Sequence, residues 1–194
     1  MTSTDLRISR AESSLGYVYE NKLLAAEAIQ MGAPITHLVV GGIYRPVGNN
    51  KRLALVGETA LANALCKLWY EAHDSLGGPQ PLAAWDALRK DVLGNANVAR
   101  RGEEICIETC IIMSNGNCGL ASAKMIATTL QALVGAVYLD GGEAAVMHVV
   151  DNLGFVQHPT LRVMLKSPPI LFRADAPPLT NMPTGTTSGT CLKQ

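Results

Sequence analysis

Residues 121–139 form a long apolar segment, which is the feature of this sequence that most constrains its fold. A helix that is apolar on nearly every face has to be enclosed by other elements, so this segment is predicted to be a buried, central helix. Asp140, Gly141 and Gly142 follow it, and glycine readily adopts the left-handed backbone of a helix C-terminal cap. We therefore expect the helix to end there and a last helix to span 143–153.

Apolar residues at three- and four-residue steps predict further helices, and together they define an all-α domain. These predicted helices span 16–30, 51–73, 82–92 and 96–104. Residues 35–49 are rich in glycine and β-branched residues and are predicted to be a connection with little regular structure. The short apolar run at 37–40 leaves a β-strand open as an alternative, because periodicity alone does not decide so short a run.

The chain divides into three predicted parts. Residues 1–15 are expected to be a flexible N-terminal arm, and residues 16–157 the helical domain. Six of the ten prolines lie after residue 158, with Thr, Ser and Gly between them. Such a composition buries too little apolar surface to offset the entropy of the chain, so 158–194 is predicted to be a Pro/Thr-rich flexible tail.

Composition excludes several classes of protein. Hydrophobic residues make up 48% of the 194 residues and aromatic residues 5%, as in a globular core built from aliphatic side chains. No apolar run reaches the roughly 18 residues of a membrane span, so no membrane partner is expected. The first residues lack the apolar region of a secretory signal, so we expect an intracellular protein, with cytoplasm, nucleus and mitochondrion all open.

Charge is unevenly distributed along the chain, although its net charge is zero. After residue 155 there are four cations and a single acid, Asp175, so this part has a net positive charge. Residues 1–155 therefore have a net negative charge. A basic face is the usual signature of a nucleic-acid-binding protein, and the predicted domain lacks one in bulk. This balance keeps open a protein-interaction scaffold with no RNA role.

Three segments resemble the ribonuclease III family in the order and spacing of their residues. The first, at 51–61, reads K-R-L-A-L-V-G-E-T-A-L, where the family has roughly E-R-L-E-F-L-G-D-A-V-L. The second, at 124–142, reads K-M-I-A-T-T-L-Q-A-L-V-G-A-V-Y-L-D-G-G, where the family has K-x-L-A-D-x-x-E-A-L-I-G-A-x-Y-L-D-G-G. The third, at 88–100, is similar to the family's L-R-x-x-L-V-x-N-x-x-L-A-x stretch.

This resemblance implies an all-α, ribonuclease III endonuclease-like helical domain that forms a twofold dimer. In the family an aromatic residue of the first segment inserts into the partner, and Leu55 occupies that position here. Leu55 is therefore a candidate dimer contact, with a place in the domain's own core as the alternative. The double-stranded-RNA-binding domain that usually follows is not expected, because the predicted tail is too short for it.

The family's metal-binding acids fall on four positions of this sequence, Ala54, Glu58, Thr128 and Gln131. Spacings of i,i+4 and i,i+3 direct each pair from one face of its helix, so the four side chains would form one cup. Two Mg²⁺ ions held by carboxylates can activate a water and stabilise a leaving phosphodiester oxygen. Only Glu58 is acidic here, so it is the one candidate catalytic and metal-binding residue. Substitute ligands from Asp140, Glu20 or Glu27 remain open.

The resemblance also points to RNA as a partner. Six polar side chains are candidate contacts to RNA: Lys51, Arg52, Arg89, Lys90, Asn95 and Lys124. The leading hypothesis is a pseudoenzyme homodimer that binds double-stranded or structured RNA in RNA processing or a ribosomal assembly. The resemblance extends to catalytically silent members of the family, which serve as mitochondrial ribosomal proteins. The alternatives are an active, Mg²⁺-dependent double-stranded-RNA endoribonuclease using Glu58 with substitute ligands, and the non-RNA scaffold, which needs no cofactor.

Overall fold

The computed structural model describes residues 2–113 and 120–162. Of Arg162 it describes the backbone only. This part of the chain is mostly helical, as predicted, with one β-hairpin inserted between the second and third helices. Its elements are α1 (Ser3–Leu15), α2 (Lys22–Ile29), β1 (Ile35–Val40), β2 (Ile43–Gly48), α3 (Lys51–Glu71), α4 (Leu82–Leu93), α5 (Asn95–Glu104), a 3-10 turn (Ile107–Thr109), α6 (Ala123–Asn152) and α7 (Pro159–Arg162).

The predicted central helix is confirmed as α6. Every residue from 129 to 137 is buried, and α6 packs against α2, α3 and α5. By length and composition alone α6 could cross a membrane, but its consecutive buried positions are typical of a core helix. Gly142 has φ 72° and ψ −164°, so the helix breaks there into two parts, as the glycines predicted.

The predicted flexible N-terminal arm is wrong, because residues 3–15 form α1. Thr2 and Asp5 cap each other at its start, and Ile8, Ala11 and Leu15 are buried along one face. Gly16, with φ 67°, ends this helix and does not begin one. The helix predicted at 16–30 therefore shortens to α2, and the domain includes residues that the sequence seemed to leave outside.

The connection predicted at 35–49 is also wrong, because it folds into an antiparallel hairpin, and the β-strand left open as an alternative at 37–40 is confirmed as part of β1. Gly41 and Gly42 form its turn with φ values of 58° and 80°, and two left-handed residues in a row are typical of a tight hairpin turn. Val40 and Val47 are buried on the inner face, which fixes the hairpin against the helices. The two glycines flanked by β-branched residues are the local signal for this hairpin.

The helices predicted at 51–73, 82–92 and 96–104 are confirmed as α3, α4 and α5. The first residues of the predicted tail form α7, in which Leu161 is buried. The remainder of that tail, 163–194, lies outside the described residues.

Candidate functional site

The site predicted from the sequence is built where α3 crosses α6, and two glycines bring the helices together. A Cβ on Gly57 would lie 1.7 Å from the carbonyl oxygen of Gln131, and one on Gly135 would lie 2.2 Å from that of Leu53. Neither position has room for a side chain. The two quoted segments therefore meet backbone to backbone, and the four cup positions border this contact.

The cup contains one carboxylate. Ala54 offers no ligand atom and is buried, while Gln131 is buried and offers a neutral amide. The Thr128 hydroxyl donates a hydrogen bond to the carbonyl oxygen of Lys124 at 2.8 Å. Glu58 is exposed to solvent. Among residues 2–113 and 120–162, no group of three or more His, Cys, Asp or Glu side chains is arranged to hold a metal ion. This donor set does not fit a pair of Mg²⁺ ions, which require several carboxylate oxygens.

Asp140 lies on the same helix as Thr128 and Gln131, and its carboxylate oxygens accept hydrogen bonds from residues before α2. The backbone N–H groups of Glu20 and Asn21 each donate to its carboxylate at 2.8 Å, and the Tyr17 hydroxyl donates at 2.8 Å. These bonds tie the start of α2 to α6. Asp140 therefore acts as a structural cap and supplies no substitute ligand to the cup.

The same contacts alter two pKa values. Burial alone would raise the pKa of Asp140, but the N–H groups of Asn21 and Glu20 and the Tyr17 hydroxyl outweigh it and lower that pKa. Burial, followed by the hydrogen bond to Asp140, raises the pKa of Tyr17 to about 12. Tyr17 thus stays protonated as the donor, and Asp140 stays ionised as the acceptor.

The other two candidate substitute acids lie elsewhere. Glu27 borders a recess at the base of the hairpin, with its carboxyl carbon 3.8 Å from where a Cβ on Gly48 would lie. Glu20 is exposed just before α2. Of the predicted acids, only Glu58 is itself one of the four cup positions.

A cleft of about 700 Å³ opens between α3 and α4, and Glu58 lies on its wall. Arg89 and Lys90 face it from α4, so the fold joins two predicted RNA contacts to Glu58. Asp86 and Trp85 also line the cleft and were missed by sequence reasoning. Their signal was the spacing of 85, 86, 89 and 90 on one face of a predicted helix. Two acids and two bases make the cleft electrically balanced.

The other predicted RNA contacts lie at helix starts. Lys51 and Arg52 occupy the first turn of α3, Asn95 begins α5, and Lys124 lies in the first turn of α6. All six candidates are exposed. The Asn50 side chain donates to the Thr129 hydroxyl at 3.3 Å, which holds the early turns of α3 and α6 side by side.

Leu55 is 67% exposed, so the alternative that it belongs to the domain's own core is wrong. It borders the cleft on one side and, on the other, an apolar hollow of about 390 Å³ that also involves Val56, Ala60 and Tyr138. An exposed leucine next to a concave apolar surface has the form of a contact between proteins.

Comparison of sequences places the chain near bacterial ribonucleases. No protein-family model matches it. Ribonuclease 3 of Syntrophotalea carbinolica is 26% identical over 152 residues, which cover 76% of this chain and 61% of that protein. Ribonuclease 3 of Streptomyces coelicolor is 28% identical over 145 residues, which cover 73% of this chain and 49% of that protein. The chain thus spans about half to three-fifths of the length of these relatives.

Solved structures agree with the sequences. The nuclease domain of ribonuclease III from Campylobacter jejuni matches with a TM-score of 0.60 at 20% identity, covering 77% of this chain and 96% of that domain. That structure concerns flexibility in a region involved in dimer formation. A second structure of the same nuclease domain matches with a TM-score of 0.57 at 19% identity, covering 78% of this chain. The chain therefore contains a divergent ribonuclease III-like domain.

Proposed function

We propose that this protein is a catalytically silent ribonuclease III-like homodimer that binds double-stranded or structured RNA inside the cell, in RNA processing or a ribosomal assembly. The donor set of the cup carries this proposal. Ala54 has no ligand atom, Thr128 and Gln131 are neutral, and Glu58 is a single carboxylate. One negative charge does not balance the divalent ions that phosphodiester hydrolysis of this type needs.

Binding without cleavage is supported by what remains exposed. Lys51, Arg52 and Lys124 stand at the starts of two neighbouring helices, where helix dipoles also favour anions. Arg89 and Lys90 extend the cationic positions to the cleft. Contacts to phosphates need cations and backbone N–H groups but no metal ion. RNA binding therefore does not require the metal-binding carboxylates.

A dimer is supported by the exposed apolar surface around Leu55. Val56 and Tyr138 adjoin it, and the hollow between them is of a size to accept a leucine side chain from a second copy. A twofold arrangement would align the RNA-facing surfaces of the two copies, because such an interface uses the same patch on both.

The decisive experiment incubates the purified chain with long duplex RNA in Mg²⁺ and then in Mn²⁺. We expect retardation of the RNA in a native gel, weakening as salt rises, and no cleavage products. Replacing both Arg89 and Lys90 by Gln should weaken binding, whereas Arg100→Gln, a matched change at an exposed arginine of α5, should not.

Two outcomes would select the alternatives. Metal-dependent cleavage that disappears in a Glu58→Ala variant would identify an active endoribonuclease. Failure to retard duplex RNA at any salt concentration would leave the protein-interaction scaffold.

A further inference from the structure

The hairpin has a solvent-facing side that the ribonuclease site does not use. In the antiparallel register His37 lies opposite Pro46, and Val39 lies opposite Tyr44, so these side chains share one face. On the opposite face Val40 and Val47 are buried against the domain, whereas Ile43 and Arg45 are exposed. We name the outer surface the hairpin face and define it by Ile35, His37, Val39, Tyr44 and Pro46.

Two aromatic rings on the hairpin face are stacked on each other in the open. The rings of His37 and Tyr44 lie 5.0 Å apart, centroid to centroid, with 14° between their planes. Tyr44 is 69% exposed, so its ring keeps a side open to solvent. A flat aromatic surface of this kind is what unpaired bases stack on in proteins that bind single strands.

The hairpin face leads into a cationic helix start. A recess of about 500 Å³ at its base is lined by Ile35 and Pro46 on one side and by Arg52 on the other. The first turn of α3 carries Lys51 and Arg52 and no acid, which is the reverse of what a helix dipole favours. A phosphate bound at this place would relieve the repulsion between the cations and the positive helix end.

Charge around the hairpin favours a polyanion over a basic or neutral partner. From residue 28 to residue 57 the sequence has three cations and no acid, although the chain as a whole has a net charge of zero. Two acids border the region in space. Asp5 accepts hydrogen bonds from the backbone N–H groups of Gly41 and Thr2, and Glu27 lies in the recess, where it could accept from an exocyclic amine of a base.

One position on each edge of the hairpin cannot pair with an added peptide strand, which argues against a strand-forming partner. The carbonyl oxygen of Val39 on the outer edge of β1 already accepts from the Thr2 hydroxyl at 3.0 Å. On β2, Pro46 has no N–H to donate. The hairpin face itself is open to solvent, and a base stacks on this face and needs no free edge.

From these contacts we infer that the hairpin face and the start of α3 bind an unpaired RNA segment next to a duplex. At least one base stacks on Tyr44 or His37, and a phosphate contacts Arg52. This inference rests on the proposed RNA-binding function and adds to it a preference for RNA that has a single-stranded extension.

The test compares two fluorescently labelled RNAs with the full chain. One is a blunt duplex, and the other is the same duplex with a single-stranded extension of roughly ten nucleotides, within the range that one such site covers. We expect the extension to increase affinity. Tyr44→Ala should remove most of that increase, about 5- to 150-fold for one lost base stack, and leave blunt-duplex binding unchanged.

Three variants sharpen the result. Tyr44→Phe should keep the increase, because phenylalanine retains the ring. Tyr70→Ala is the matched control, since Tyr70 is an exposed tyrosine on α3 far along from the hairpin. Arg52→Gln should reduce the slope of log affinity against log salt by about 0.7 on the extended RNA, as expected for one phosphate contact to a single strand.

Photocrosslinking locates the contact directly. With 4-thiouridine in the extension, we expect the crosslinked peptide to include residues 35–48. Crosslinks confined to other segments, or an affinity increase that survives both Tyr44→Ala and His37→Ala, would overturn the inference and assign the face to a protein partner. A chain that binds blunt duplex but gains nothing from the extension also overturns it, while the proposed function stands. Failure to bind either RNA overturns both.

Discussion

Gly57 and Gly135 lie against each other at the crossing of α3 and α6, where a Cβ on Gly135 would be 2.9 Å from the backbone nitrogen of Gly57. This contact explains why the two segments that resemble the ribonuclease III family keep their glycines although most of their acids are gone. The glycines serve the packing of the two helices, and the acids serve only the metal ions. The close packing of α3 and α6 therefore depends on these glycines and not on the acids.

Alanine at either glycine should destabilise the protein, although alanine normally stabilises a helix by about 1 kcal/mol relative to glycine. A Cβ on Gly57 would lie within 1.7 Å of the Gln131 carbonyl oxygen, so the helices must move apart. We expect Gly57→Ala to cost about 2 kcal/mol or more, as overpacking of a core does, measured by urea unfolding. Gly48→Ala is the control, because its Cβ would meet nothing closer than 3.8 Å. Equal stability of the two variants would contradict the close crossing.

Asp140 should make the stability of the protein depend on acid pH. Its pKa is lower in the folded chain than its ordinary value of 3.8, so its contribution is complete above about pH 4 and is lost as pH falls through the folded pKa. Asp140→Asn should lower the free energy of unfolding at neutral pH by about 1–2 kcal/mol, because it loses charged hydrogen bonds to the start of α2. This difference should shrink below pH 4.

Asp86→Asn provides the comparison for that experiment. Asp86 is an exposed carboxylate of the α3–α4 cleft, so its replacement should change stability by less than about 0.5 kcal/mol. Denaturant titrations between pH 3 and pH 7 measure both variants. A constant difference between wild type and Asp140→Asn across this range would refute the role of the carboxylate charge.

Restoring the missing acids should restore metal binding if the cup retains its geometry. The variant combines Ala54→Glu, Glu58→Asp, Thr128→Asp and Gln131→Glu. We expect Mn²⁺ binding by calorimetry, and then duplex cleavage, neither of which we expect of the wild-type chain. We expect this because α3 and α6 cross closely, with Gly57 against the backbone of Gln131.

The matched control adds the same number of carboxylates at exposed positions outside the cup, by Thr59→Asp, Ala83→Glu and Ser122→Asp. This control should bind no Mn²⁺ in the same titration. Metal binding by the control, or none by the restored variant, would show that these four positions do not form a common site.

Leu55→Asp should dissociate the proposed dimer. Leu55 is the most exposed leucine of α3, and a charge there would be buried by a second copy. We expect the dimer dissociation constant to rise by about 30-fold or more in sedimentation equilibrium, as for an interface hot spot. Leu76→Asp, at a more exposed leucine of the loop after α3, should leave it unchanged. A wild-type chain that is monomeric at all concentrations would exclude the dimer.

Local spacing was sufficient to predict most of the helical fold. The helices α3, α4 and α5, and the break of α6 at Gly142, follow from apolar periodicity and from glycine placement. By contrast, α1 was missed, and the hairpin was anticipated only as an alternative strand at 37–40. Both depend on burying a few apolar residues, such as Val40 and Ile8, against distant elements, and a short segment does not reveal that burial by itself.

The sequence alone determined which chemical groups this protein has lost, because the identities of Ala54, Thr128 and Gln131 need no structure to be read. It also determined the central helix, because a helix that is apolar on nearly every face has to be buried however the other helices pack around it. Only the tertiary structure decided that Asp140 caps α2, that Leu55 faces solvent and that His37 stacks on Tyr44 in the open. These relations join residues from separate turns or elements, and only the packing of the whole domain sets such distances.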